Sequence, residues 1–168
     1  MIRLRLRSSS GEERAWTLRE IVQGHPLGHP SHPMFVHFPV AYYIAVLAFD
    51  LLTRLHPDAG LVFAGTLLVI GAFMGSAFAV TTGLVDWFQM VPGSKKRRKA
   101  TQHMLLQLAT FALFVVALAM RWGSRRAPRA AWSWIVVEAV AVGILVVGQY
   151  LGGILVYEMA MRVRTGRA

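Results

Sequence analysis

Four apolar blocks set the terms for any fold this chain can adopt. Met34–Arg54 reads MFVHFPVAYYIAVLAFDLLTR, and Leu61–Val85 reads LVFAGTLLVIGAFMGSAFAVTTGLV with no charge at all. His103–Trp122 reads HMLLQLATFALFVVALAMRW, and Trp132–Tyr157 reads WSWIVVEAVAVGILVVGQYLGGILVY. At about 1.5 Å of rise per helical residue, each block reaches across roughly 30 Å of hydrocarbon. None carries the polar face of a helix at the surface of a soluble domain. Inside lipid every backbone N–H and C=O must be satisfied by the segment itself, so blocks of this length read as helices. The intervening loops are short, which favours antiparallel neighbours. The expected fold is therefore an all-α integral membrane protein, an antiparallel four-helix transmembrane bundle with a short N-terminal amphipathic helix. It divides into a cytoplasmic or interfacial segment over residues 1–33, the transmembrane domain over 34–158, and a basic tail over 159–168. No internal repeat is evident, and no cleavable signal peptide is expected, because residues 1–33 lack an apolar core of their own.

Charge distribution orients the bundle. The chain has a net charge of +10, which alone would admit a nucleic-acid partner. The basic residues, however, stand outside the spans. Arg3, Arg5, Arg7, Arg14 and Arg19 precede the first, Lys95–Lys99 (KKRRK) separate the second from the third, and Arg162, Arg164 and Arg167 follow the fourth. The opposite face holds only Arg54, Arg121, Arg125, Arg126 and Arg129. By the positive-inside rule both termini and KKRRK lie in the cytoplasm, which implies a bacterial inner membrane protein whose partner is anionic lipid, not nucleic acid.

The N-terminal segment is expected to be loosely ordered over residues 1–9. A helix is then expected over about 11–22, opened by a capping box between Ser10 and Glu13. The stretch HPLGHPSHPMFVHFP (His25–Pro39) follows, and its prolines push His25, His29 and His32 toward extended backbone. Pro39 falls near the first turn of the first span, where its missing N–H does no harm.

The chain has no cysteine, which excludes disulfides, thiolate-held clusters and covalent c-type haem. Any metal or haem would rest on histidine, carboxylate, methionine or tyrosine. Antiparallel threading brings His37, His103, Gly83, Asp86, Trp87, Tyr157 and Glu158 to the cytoplasmic face. His37 and His103 would each occupy a first helical turn, where the helix dipole disfavours imidazolium and leaves a neutral ring fit to bind a metal. They are the expected cofactor ligands, for bis-histidine haem b. A wider metal set adds His32, Asp86 and Glu158, the carboxylates serving to orient imidazole N–H groups. His25, His29 and His56 are read as loop residues. The glycines Gly71, Gly75, Gly83, Gly152 and Gly153, with Gly143 and Gly148, let helix backbones approach closely. Toward the other face, Asp50 lies inside the first span with Arg54 one turn on as its cheapest partner, and Glu138 enters at comparable depth. Gln107 and Gln149 are read as helix-bridging amides. HExxH is absent, and so is a phosphate-cradling glycine loop, so the enzyme question stays open.

These motifs resemble domain-of-unknown-function family 2231, bacterial four-span membrane proteins. The resemblance rests on His32-Pro33, Val36-His37-Phe38-Pro39, Asp50-Leu51-Leu52, Thr82-Gly83-Leu84-Val85-Asp86, His103, Arg121 and Leu151-Gly152-Gly153-Ile154-Leu155-Val156-Tyr157. It covers about His25 to Val163. The resemblance implies four spans, and some relatives are joined to Rieske or cytochrome c modules, which implies electron transfer. Three functions stay open. One is a haem b electron-transfer subunit that serves a quinone or a redox partner protein. A second is a non-haem metal-binding or transport protein. The third is a non-catalytic scaffold, either as a homo-oligomer or as a subunit of a larger complex.

Overall fold

The computed structural model describes residues 3–11 and 13–163. A two-stranded antiparallel hairpin, β1 (Arg3–Arg7) and β2 (Glu13–Thr17), leads into a five-residue helix α1 (Leu18–Val22) and a 3-10 turn at His25–Leu27. Four long helices follow: α2 (Ser31–Leu55), α3 (Ala59–Phe88), α4 (Lys95–Arg121) and α5 (Trp132–Tyr157). All four are long and apolar enough to cross a membrane by length and composition. Large apolar side chains such as Leu67, Met74, Phe78, Val116, Val136 and Val146 stand exposed around them, the face such a bundle presents to lipid.

Several local expectations are corrected. Residues 3–7 form a strand, not loose chain: Arg and Leu alternate in RLRLR, and Leu4 pairs with Trp16 across the hairpin. The helix expected over 11–22 shrinks to α1. Ser10 and Glu13 make no capping box, because Glu13 already belongs to β2. The box forms instead between Thr17 and Glu20. The Thr17 backbone N–H, and then its hydroxyl, hold the Glu20 carboxylate below its ordinary value of 4.5. The cap is therefore fully formed above that value and lost as pH falls through the depressed folded-state value. An NMR titration of the Thr17 amide is expected to show its shift breaking below pH 4.5, and Glu20→Gln is expected to flatten the titration.

His32 is not in extended chain. Pro30 caps α2, which starts earlier than the apolar block, so His32 and Pro33 occupy the first turn, where a missing N–H is harmless. Pro39 then falls inside the helix, beyond its first turn. KKRRK is not a loop either: Ser94 accepts from the Arg97 N–H and starts α4 at Lys95. Consequently neither His37 nor His103 lies in a first turn, and the dipole argument fails for both. The basic tail is described only to Val163, so Arg164 and Arg167 lie outside the described residues.

The helices pack as two antiparallel hairpins, α2 with α3 and α4 with α5, and α2 faces α4 across the core. The two hairpins repeat one pattern, contrary to the expectation of no repeat. The same offset that carries His32 onto His103 carries Tyr43 onto Phe114, Val46 onto Ala117 and Asp50 onto Arg121. A second constant offset carries Val69 onto Glu138, Ala72 onto Ala141, Ala79 onto Gly148 and Gly83 onto Gly152. Apart from the histidines and Gly83 and Gly152, which are part-buried, the positions in both series are buried. Equivalent residues meet: the Tyr43 and Phe114 rings stack at 4.0 Å, and Asp50 pairs with Arg121 at 3.0 Å. Below that stack lies a core of Val46, Val69, Ala72, Ala141 and Leu145.

Candidate functional site

At the end of the bundle that carries the termini, the two hairpins enclose a cavity of about 510 Å³ lined from all four long helices. That size suits a small molecule or cofactor. Its upper wall is held by the N-terminal segment. The Ser31 hydroxyl donates to Val22 O, and the Ser31 N–H donates to Gln23 O at 3.3 Å. The sharp turn between them needs Gly24 at φ 80°, where a Cβ would fall 2.0 Å from His29 O.

Within the cavity the paired imidazoles are His32 and His103, at equivalent places on α2 and α4. Their ring centroids are 6.4 Å apart and their planes perpendicular at 90°. His32 Nδ1 lies 2.8 Å from Ala79 O, and His103 Nδ1 lies 2.7 Å from Gly148 O. A carbonyl only accepts, so both rings carry their proton on Nδ1. Each therefore keeps a lone pair on Nε2, the nitrogen on the far side of the ring from the carbonyl. Neither Nε2 makes a hydrogen bond among the described residues. Both rings lie against a glycine on the neighbouring helix. A Cβ on Gly83 would come within 2.9 Å of His32 Cε1, and one on Gly152 within 3.2 Å of His103 Cε1. The glycine one turn beyond the anchoring carbonyl is thus what lets each ring reach it.

These clearances predict unequal effects. Gly83→Ala drives a methyl into a ring that is tied down, and is expected to lower stability by about 1–3 kcal/mol. Gly152→Ala meets a looser contact and gains helix propensity of about 1 kcal/mol, so it is expected to be close to neutral. Denaturant unfolding of both variants in the same detergent checks the order.

The structure brings His103 together with His32, not with His37. His37 also lines the cavity but is exposed, whereas His32 is half-buried beside His103. The wider metal set does not assemble: among the described residues, no three His, Asp or Glu side chains converge to hold an ion. Asp86 is engaged by Gln23 Nε2 at 2.9 Å and by the Arg162 guanidinium, which also donates to His25 Nε2 at 3.1 Å. That network ties the N-terminal segment and the chain after α5 across the cavity mouth. Glu158 and Tyr157 are exposed, and Tyr157 is 89% so. Gly71 and Gly75 admit Tyr42 and Pro39, and Gly153 meets only Tyr157 of its own helix. Gln107 does not bridge helices by hydrogen bonding: its Nε2 is buried without a partner beside Gly148.

At the other end of the bundle Asp50, Arg121 and Glu138 form a cluster with no solvent exposure. Arg54 is not the partner of Asp50. It donates instead to Ala130 O at 3.0 Å and lies over the Trp132 ring. Arg121, which the charge count had assigned to the outer face, is instead drawn inside.

Comparisons with known proteins return no curated protein and no solved structure that matches this chain. A family model described as "Predicted membrane protein (DUF2231)" matches residues 28–165, covering both hairpins, the imidazole pair and the buried cluster, so the chain belongs to that family.

Proposed function

We propose that the inter-hairpin cavity is a haem b site with His32 and His103 as axial ligands, in a small electron-transfer subunit of the bacterial inner membrane. The observation that carries the reading is the ring separation. A transition metal binds imidazole nitrogen at about 2 Å, so two axial rings sharing one ion stand about 6 Å apart between centroids. The observed separation is 6.4 Å. The Nδ1–H to carbonyl bonds supply the outer contacts that fix tautomer and raise ligand basicity. The number of protein donors separates this reading from a non-haem metal site. Two imidazoles alone leave a bare zinc, copper or iron ion short of ligands, whereas a porphyrin brings its own equatorial nitrogens. Haem b supplies one-electron chemistry when bound. The protein's part is to hold both rings neutral and oriented, and to exclude water with the surrounding apolar walls. The basic residues at this end support a cytoplasmic side for it, with both termini inside. A quinone or a soluble redox protein is the partner class.

The test is an absorption spectrum with metal analysis on protein purified in detergent from haem-replete cells. One haem per chain with a Soret band supports the reading. Colourless protein with stoichiometric zinc, copper or iron favours metal binding instead, and colourless, metal-free protein that co-purifies with partners favours a scaffold.

A further inference from the structure

The buried cluster at the opposite end has one guanidinium for two carboxylates. At about 1.5 Å per residue it lies about 27 Å along α2 from His32, so it belongs to a different site. Its donors are unevenly shared. Arg121 Nη2 donates to Asp50 Oδ1 at 3.0 Å and to Val62 O at 2.9 Å, and Trp134 Nε1 donates to Asp50 Oδ2 at 2.8 Å. Both Asp50 oxygens are thus satisfied. Glu138 Oε1 accepts from Arg121 Nη1 at 2.9 Å, but no donor reaches its Oε2, although the residue is fully buried. The repeat makes this surplus plain. Asp50 and Arg121 are equivalent positions that neutralise each other. The counterpart of Glu138 in the other hairpin is Val69, which carries no charge.

We infer that Glu138 is a proton-binding site, held as a neutral carboxylic acid beside an ionised Asp50–Arg121 pair. With all three groups ionised the cluster would hold an uncompensated negative charge inside the bundle, away from the water that would solvate it. A metal cation is a poor substitute, since hard cations require several oxygen ligands and Arg121 would repel one. The groups facing Glu138 are Asp50 from α2 and Arg121 from α4. From α3 the cluster receives only the Val62 carbonyl, and no titratable side chain.

Infrared spectroscopy of the purified protein at neutral pH tests this without relying on any cofactor. The expected result is a C=O stretch of a protonated carboxyl that shifts when the protein carries ¹³C-glutamate and is lost in Glu138→Gln. Asp50→Asn is also expected to remove it, because Glu138 then has Arg121 to itself and ionises. Absence of the band from the wild type, its survival in Glu138→Gln, or a shift with ¹³C-aspartate in place of ¹³C-glutamate would each overturn the proposal. The labelled wild type needs no variant to fold.

Discussion

If the cavity holds haem b as proposed, His32→Gly and His103→Gly are each expected to abolish the low-spin Soret signature of the purified protein, and His37→Gly is expected to leave it intact. The contrast follows from direction along α2. His32 and His37 both lie on α2, but only His32 pairs with His103, with its Nδ1 on a backbone carbonyl and Nε2 free. With one of the two rings that would hold the haem removed, the band would shift and the haem content is expected to fall severalfold. Removing the exposed His37 changes neither. Because a glycine substitution can also disturb folding, the decisive arm is rescue. Free imidazole added to His32→Gly or His103→Gly is expected to restore the six-coordinate spectrum, since the vacated space has the shape of the ring it lost. Loss of the band in His37→Gly, with His32→Gly unchanged, would overturn the assignment.

The four spans and their antiparallel order are readable from the blocks because lipid imposes one rule on the whole segment: length and apolarity. Much of the site follows from the same threading, which already brings His103, Gly83, Gly152 and Asp86 to one end. What the sequence does not give is rotation about each helix axis. Hydrophobicity fixes rotation for a soluble helix, but here both lipid and core are apolar, so nothing in the pattern tells His32 from His37. A usable signal did exist in spacing. His32 and His103 stand at the same distance before Asp50 and Arg121 respectively. The repeat escapes notice because, apart from His32/His103, Ala72/Ala141 and Gly83/Gly152, the matched positions named above differ: acid against base, Tyr against Phe, Val against Ala, Val against Glu, Ala against Gly. The outer cluster was misread for a related reason. Arg54 is closer to Asp50 in sequence, but Arg121 reaches it across the core.

That core pair sets the largest expected loss of stability. Arg121→Leu leaves Asp50 buried with no cation and strips Glu138 Oε1 of its only donor. Breaking a buried pair from one side costs roughly 3–5 kcal/mol, and unfolding by denaturant in detergent is expected to show a loss of that order. Replacing the whole cluster, with Asp50→Leu and Glu138→Leu added to Arg121→Leu, is expected to recover most of it, because no charge is then left unpaired. The charge-swapped double variant, Asp50→Arg with Arg121→Asp, separates electrostatics from shape. Charge is conserved, so a purely coulombic cluster would tolerate it. The surroundings are not symmetric, however. A Cβ on Gly65 would stand 2.8 Å from Arg121 Nη2, so that glycine makes room for the guanidinium, whereas its equivalent in the other hairpin is Trp134, whose N–H serves a carboxylate at Asp50. The swapped arginine would meet an indole donor and the swapped aspartate would face an empty glycine. The swap is therefore expected to remain nearly as unstable as Arg121→Leu, and wild-type stability in it would show that the Gly65 and Trp134 asymmetry does not fix which hairpin carries the acid.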